Sequence, residues 1–317
     1  MRRTDSEYTF SKSELQILRE LSKGKQSLPK IRKAISLKPA LLSYNLKKLQ
    51  KKGLTQTTEE GNRKYACFNE TSHAELLRDL LIRYDHVDWE NILTGKTIDI
   101  LFQALSAKEG NLSGFSKATR WRYLKELRGR GIIGETQKRY QINSRFQVLI
   151  DFLKEYQRYF ANKISKTLSE NAVILWQEDM EFLVRVPKAA KPPSDDFHKT
   201  ATSILPQYDL PLFSEFDIYF YSTNKKAIKP EDAILHTLLA EPGSVRYTTY
   251  ALLLLKKIQN GVDKEYLLKE AERFRLKNQV IGMLEFLETH RRPEGQPLSL
   301  PTWNEFMAKA NDYAVIA

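Results

Sequence analysis

Leu42-Ser-Tyr-Asn-Leu-Lys-Lys-Leu-Gln-Lys-Lys-Gly-Leu54 is the stretch on which the reading of this chain turns. Leu42, Leu46 and Leu49 stand at i, i+4 and i+7, which places them in one apolar stripe of a helix. Ser43, Tyr44 and Lys47 fall on another face. Lys47, Lys48, Lys51 and Lys52 crowd the C-terminal half, where positive charge complements the helix dipole. Gly53 is placed to close the helix with a left-handed cap. An ordinary amphipathic helix with a solvated lysine face has the same pattern, so the flanking sequence decides.

Charge is distributed unevenly. The net charge is +12 over 317 residues. Residues 1–150 hold 29 Lys+Arg against 16 Asp+Glu, and residues 151–317 hold 22 against 23, so the whole excess lies in the first half. Between Arg19 and Leu54 there are eleven basic residues and one acid, Glu20. That density suits a polyphosphate partner. An anionic membrane surface would want bulky apolar residues beside the lysines, and here the leucines keep core spacing. Mean hydropathy is −0.50, and the longest apolar run, Tyr250–Leu255, is closed by Lys256 and Lys257, so no membrane span is expected. No apolar segment follows Met1-Arg-Arg, so no signal peptide is expected either. Cys67 is the only cysteine, which excludes an intramolecular disulfide and a cysteine zinc site. A cytoplasmic protein is expected.

Working outward, Ser11-Lys-Ser-Glu14 offers a cap and an acid before Leu15, Ile17, Leu18 and Leu21, which predicts a helix from about 12 to 22. Leu28–Ile35 reads as a second short helix with Pro29 in its first turn. Ser36-Leu37 is a turn, and a third helix runs from about Lys38 to Lys52. Leu54–Thr58 and Arg63–Phe68 flank Gly61-Asn62 and read as a β-hairpin. Three helices followed by a hairpin with basic arms make a winged helix.

At these residues, Pro39 to Leu54 resembles the recognition helix of winged-helix transcription regulators of the MarR/ArsR type, with its small-residue start, its Ser, its leucine spacing and its closing Gly-Leu. The resemblance covers about residues 10–70 and implies a prokaryotic, archaeal regulator. By that match Pro39, Ala40, Leu41, Ser43, Tyr44 and Lys47 would face the major groove, with Lys47 and Lys48 as positioning contacts and Lys38 beside them among the DNA-binding residues, and Arg63 and Lys64 of the wing would meet phosphate. Ser43 and Tyr44 are the better base-edge candidates. Asn45 would reach the groove only on a rotated helix.

The pattern returns 78 residues later. In Thr119-Arg-Trp-Arg-Tyr-Leu-Lys-Glu-Leu-Arg-Gly-Arg-Gly-Ile132, Leu124, Leu127, Lys125 and Gly131 correspond to Leu46, Leu49, Lys47 and Gly53. Ile98, Leu101, Phe102 and Leu105 supply a first helix, and 132–136 with 138–142 supply a shorter wing. Either this copy also contacts DNA, through Lys117, Arg120, Arg122, Lys138 and Arg139, or it is a packing or dimer module with Trp121 buried.

A linker is expected around Val87–Gly95. The helix Gln147–Phe160 has a broad aromatic face, suited to a domain junction or a dimer interface. Beyond it, Ala172–Trp176 and Glu181–Val186 read as a hairpin, Asp195–Leu205 as a helix, Phe216–Tyr221 as a strand and Pro230–Ala240 as a helix. Further helices are expected at about 244–259, 263–274 and 277–290, with the tail 291–317 lying over the surface. The strand and Pro230-Glu-Asp-Ala-Ile-Leu-His-Thr-Leu-Leu resemble the late segment of nucleotidyltransferase-like domains of abortive-infection toxins. The Gly-Ser pair of that family is missing here, and Tyr219 stands where its second acid would be, beside a lone Asp217. That implies a degenerate copy, since one carboxylate cannot assemble a two-metal site. The scattered His73, His86, His198, His236 and His290 read as surface or capping residues, and the acid pairs at 178–179, 195–196 and 231–232 as turn or cap residues. There is no Walker loop and no Gly-x-Gly-x-x-Gly.

The expected architecture is α+β and mostly helical. It comprises a winged helix at 1–86, a second at 87–145, a connecting or dimerisation helix at 146–165 and a small α+β domain at 166–317. The expected function is a sequence-specific regulator of transcription that binds double-stranded DNA as a homodimer. No catalytic residues, metal or cofactor are expected, and a small-molecule or protein effector is allowed for. The alternatives are a nucleotidyltransferase-like enzyme or antitoxin with DNA-binding arms, and an architectural protein that bridges DNA.

Overall fold

The computed structural model describes residues 8–105, 116–136, 139–225, 227–293 and 299–315. The chain is α+β and mostly helical, and it forms two compact units, 1–160 and 161–317. Among the described residues no helix is long and apolar enough to cross a membrane.

The first unit opens with α1 (Lys12–Ser22), held by the expected capping box between Ser11 and Glu14. A two-residue strand β1 (Gln26–Ser27) leads into α2 (Leu28–Ile35), which enters through Pro29 and leaves through Ser36 in the left-handed conformation. Helix α3 (Pro39–Lys51) starts on Pro39, whose fixed φ suits a first helical residue. Strands β2 (Thr55–Glu60) and β3 (Arg63–Phe68) form the hairpin, and β1 joins it in the order β1-β3-β2. Leu18, Leu21, Ile31, Leu46, Leu49 and Ala66 are buried and bring these elements onto one core.

The unit continues with α4 (Ser72–Arg83), α5 (Trp89–Ile92), α6 (Gly95–Leu105), α7 (Lys117–Gly129), β4 (Ile133–Thr136) and β5 (Arg139–Ile142). The expected linker at 87–95 is instead packed structure: Trp89, Ile92 and Leu93 are buried, and the Trp89 indole N–H donates to the Tyr84 carbonyl at 2.9 Å. The sequence repeat extends to the backbone. Leu54 N–H donates to the Leu49 carbonyl at 3.0 Å, and Ile132 to that of Leu127 at 2.9 Å. Gly53 and Gly131 both take positive φ, +70° and +65°. Asn69 donates to the Leu54 carbonyl and Asn143 to that of Ile132, closing each hairpin on the end of its helix. Both glycines are also roofed over: an added Cβ would meet the Tyr159 ring at 2.5 Å over Gly53 and the Arg145 guanidinium over Gly131.

Helix α8 (Gln147–Leu168) crosses the boundary between the units. Within the first unit its aromatic face is already covered. Tyr156 stacks on Phe10 and His73, approaches Phe102, and donates its hydroxyl to the Tyr8 carbonyl at 3.1 Å. The face therefore joins the two halves of this unit inside one chain.

The second unit has an antiparallel sheet in the order β6-β7-β9-β8, formed by β6 (Val173–Glu178), β7 (Glu181–Pro187), β8 (Phe197–Lys199) and β9 (Phe216–Tyr221). Helices α9 (Pro230–Ala240), α10 (Val245–Lys257), α11 (Lys264–Arg273), α12 (Lys277–Thr289) and α13 (Trp303–Asp312) build its core with Leu183, Ile218 and Phe220. Two expectations are corrected. Segment 195–205 is not a helix: Phe197–Lys199 pairs with β9 and a 3-10 turn follows at 201–208, because an open sheet edge there offers the backbone partners. The tail is not a surface strap, since α13 buries Phe306 and Ala310 completely and Leu300 is buried before it.

Candidate nucleic-acid interface

Helix α3 divides cleanly. Leu42, Asn45, Leu46 and Leu49 point inward, while Lys38, Pro39, Ala40, Leu41, Ser43, Tyr44 and Lys47 are exposed on the outer side. Leu41 and Tyr44 are 42% and 56% exposed, so this turn presents apolar and aromatic surface beside its lysines. Lys48, half-buried, sets its ammonium 4.9 Å from the centre of the Tyr44 ring. Helix α3 contains no acid, and Lys30, Arg32 and Lys33 of α2 are exposed as well. The result is an exposed cationic surface carrying an aromatic ring and a hydroxyl.

Asn45 and Lys52 turn inward instead. Asn45 is buried and donates to the Ser13 hydroxyl at 3.0 Å, so it does not reach this surface. Lys52 turns inward, makes a buried ion pair with Glu14 at 2.6 Å and donates to the Thr9 carbonyl at 2.7 Å. On the hairpin, Arg63 and Lys64 are exposed, but the register sets them opposite Glu60 and Glu59. Lys64 pairs with Glu59 at 3.0 Å, and Lys25 pairs with Glu60 at 2.5 Å. The hairpin tip is thus close to electrically balanced, whereas Lys30, Arg32 and Lys33 of α2 and Lys38 and Lys47 at α3 are exposed.

Helix α7 repeats the arrangement with different residues. Lys117 and Arg122 are exposed and Arg120 is half-buried. Trp121 is not buried as a packing module requires, but 64% exposed, with the Lys125 ammonium 4.9 Å from its ring centre. Arg128 and Arg130 are paired with Glu135 and with Asp88 and Glu126. Lys138 lies outside the described residues, and Arg139 is placed only as the first residue of β5.

In the second unit Asp217 is buried and paired with Lys199 at 2.9 Å, beside the buried Tyr219. Among the described residues no group of three or more His, Cys, Asp or Glu side chains is placed to hold a metal ion. Instead there is a buried polar network that sequence reading missed. The Asp232 carboxylate, fully buried, accepts from Lys225 at 2.6 Å, from the Tyr266 hydroxyl at 2.8 Å and from the Lys229 N–H at 2.9 Å. Glu181 accepts from the Ser222 hydroxyl at 2.6 Å and from Arg273, which also pairs with Glu270 at 3.2 Å. Burial, then donation to Asp232, raises the Tyr266 phenol far above its ordinary range. The network closes on itself and ties β7, α9 and α11 together.

Two histidines are likewise not at the surface. His73 is buried against Tyr159, 4.2 Å between ring centres, with Nε2 2.9 Å from the Lys52 carbonyl. His236 is fully buried, stacked on Phe220 at 4.3 Å, with Nδ1 2.8 Å from the Thr200 hydroxyl. Burial lowers both rings below the ordinary 6.5, His236 well below. The hydrogen bond to Lys52 opposes the shift at His73 without cancelling it. A base with a depressed folded pKa takes up its proton first in the unfolded chain, so stability declines as pH falls below about 6.5. The urea midpoint at pH 5.5 is expected to lie below that at pH 7.5. Equal midpoints would mean that these rings open to solvent.

A family model described as HVO_2833_C, C-terminal, matches residues 194–315. The second unit from β8 to α13 is therefore similar to that family, and the match does not reach α1–α8. No curated protein and no solved structure matches the chain.

Proposed function

We propose that the chain is a double-stranded-DNA-binding regulator of transcription, built on two winged helices in its first unit, with α3 as the helix that enters the major groove. The observation that carries this reading is the acid-free outer face of α3, where Lys38, Ser43, Tyr44 and Lys47 are exposed together above a leucine core. A groove-reading helix needs such a face: cations for phosphate, hydroxyl groups for base edges. The order of helices and hairpin, its backbone repetition in α7, β4 and β5, and the resemblance to MarR/ArsR-type regulators support it further. The paired charges at the hairpin tip assign Arg63 and Lys64 a smaller share of the phosphate contacts than α3. A homodimer on a two-fold site suits this class of helix, and the second unit is the place for assembly or for an effector.

Gel-shift titrations of the full chain on genomic fragments test the reading. Binding is expected to weaken steeply as salt rises. Lys47→Ala should weaken binding several-fold on every sequence and reduce the salt slope by about one, whereas Tyr44→Ala should change which sequences are preferred. No binding at low salt would overturn the proposal. Equal, sequence-blind losses in both variants would remove the base-contact role of Tyr44.

A further inference from the structure

Of the four tryptophans, all within the described residues, only Trp121 is exposed; Trp89 is buried and Trp176 and Trp303 are partly buried. An exposed tryptophan offers a large, flat apolar face that a partner can cover. Its surroundings say what kind of partner does so. Residues 117–125 of α7 contain no acid, and Lys117, Arg122 and Lys125 are exposed around the ring. Lys125 stands over the indole and Arg122 over the neighbouring Tyr123 ring, each at 4.9 Å from the ring centre. These cations hold an apolar plate inside a positive field, which suits neither an apolar protein groove nor a second copy of the same cationic helix. The repeated hydrogen bonds fix the position. Arg120 N–H donates to the Ser116 carbonyl as Leu42 does to that of Lys38, so Trp121 stands where α3 presents Ser43.

We infer that α7 is a second duplex-DNA-contacting helix, in which Trp121 seats against the apolar wall of the groove, thymine methyl or deoxyribose, while Lys117, Arg122 and Lys125 meet the flanking phosphates. This rests on the reading of α3 and deepens it. The chain then holds one duplex through two helices of one compact unit, α3 with hydroxyl groups and α7 with an indole.

The test uses the full chain and a fluorescein-labelled duplex that the wild type binds. Tryptophan emission of the wild type should be quenched on adding unlabelled duplex, and the quench should vanish in Trp121→Phe. Trp121→Ala should lower affinity about tenfold, the order expected when one large apolar side chain is returned to water. It should leave the salt slope unchanged, while Lys125→Ala reduces that slope by about one. Because the ring is exposed, the thermal midpoint of Trp121→Ala should stay at the wild-type value, which separates lost contact from lost fold. If Lys47→Ala weakens binding while Trp121→Ala binds within twofold of wild type, this inference is wrong and the role of α3 stands. If the wild type binds no duplex, the reading of α3 itself fails. Emission that changes with protein concentration in the absence of DNA in the wild type but not in Trp121→Phe would mean that Trp121 meets another copy, and would overturn the inference.

Discussion

Replacing Lys52 by methionine is expected to destabilise the first unit by about 3–5 kcal/mol, the cost of leaving a buried charge without its partner. The Lys52 ammonium lies 2.6 Å from Glu14 with side chains 8% and 2% exposed, so solvent screens the pair little. It also donates to the Thr9 carbonyl and sits 4.9 Å from the centre of the Phe10 ring. Lys52→Met strips all of these at once and strands the Glu14 carboxylate, which keeps only the Ser11 N–H of its capping box among the bonds described here. Adding Glu14→Gln to Lys52→Met removes the stranded charge and should recover a large part of the loss. Urea denaturation followed through Trp89, which is buried in this unit, reads the change. A loss under about 1 kcal/mol in Lys52→Met would mean that the pair is solvated in solution.

Asp232→Ala should cost the second unit a comparable amount, about 3–5 kcal/mol. The carboxylate is fully buried and holds Lys225, the Tyr266 hydroxyl and the Lys229 N–H within 2.9 Å. Alanine leaves a largely buried ammonium and a half-buried phenol without their acceptor. Asp232→Asn keeps an acceptor oxygen and the first-turn cap but not the charge, and is expected to lose roughly half as much. Trp176 and Trp303 report this unit. If alanine and asparagine were equally mild, Lys225 and Tyr266 would have found water, and the network would be peripheral to folding.

Elements with local punctuation were legible in the sequence. The Ser11–Glu14 capping box, Pro29, Pro39 and Gly53 each act within one turn, and the helices α1, α2 and α3 begin or end on them. The outer face of α3 followed from leucine spacing alone. What stayed hidden depends on partners distant in sequence. Lys52 has the same local pattern as Lys51, and Glu14, 38 residues earlier, turns it inward together with the Thr9 carbonyl. Glu181 meets Ser222 and Arg273 at separations of 41 and 92 residues, so no spacing could announce the network. Asp195-Asp196 before an apolar run imitates a helix start, but the backbone of β8 is claimed by the edge of β9. Helix α13 presents just Phe306 and Ala310 as fully buried, too sparse a stripe to stand out from a loop. Trp121 was ambiguous because size predicts burial and charge predicts exposure, and on α7 charge prevailed.

The two roofed glycines bear on how this protein can be cut and recombined. Each helix end is lidded by a side chain contributed from after its own hairpin: Tyr159 covers Gly53 from 91 residues beyond the end of β3, and Arg145 covers Gly131 from just past β5. The first module is therefore not a self-sufficient cassette, whereas the second carries its lid within its own bounds. A fragment stopping near residue 70 would keep every motif by which the first module is recognised, yet it would lose the lid over the end of α3. Chimaeras that graft either helix onto another scaffold should carry the lidding residue along, and α8 up to Tyr159 is the shortest C-terminal extension that preserves both.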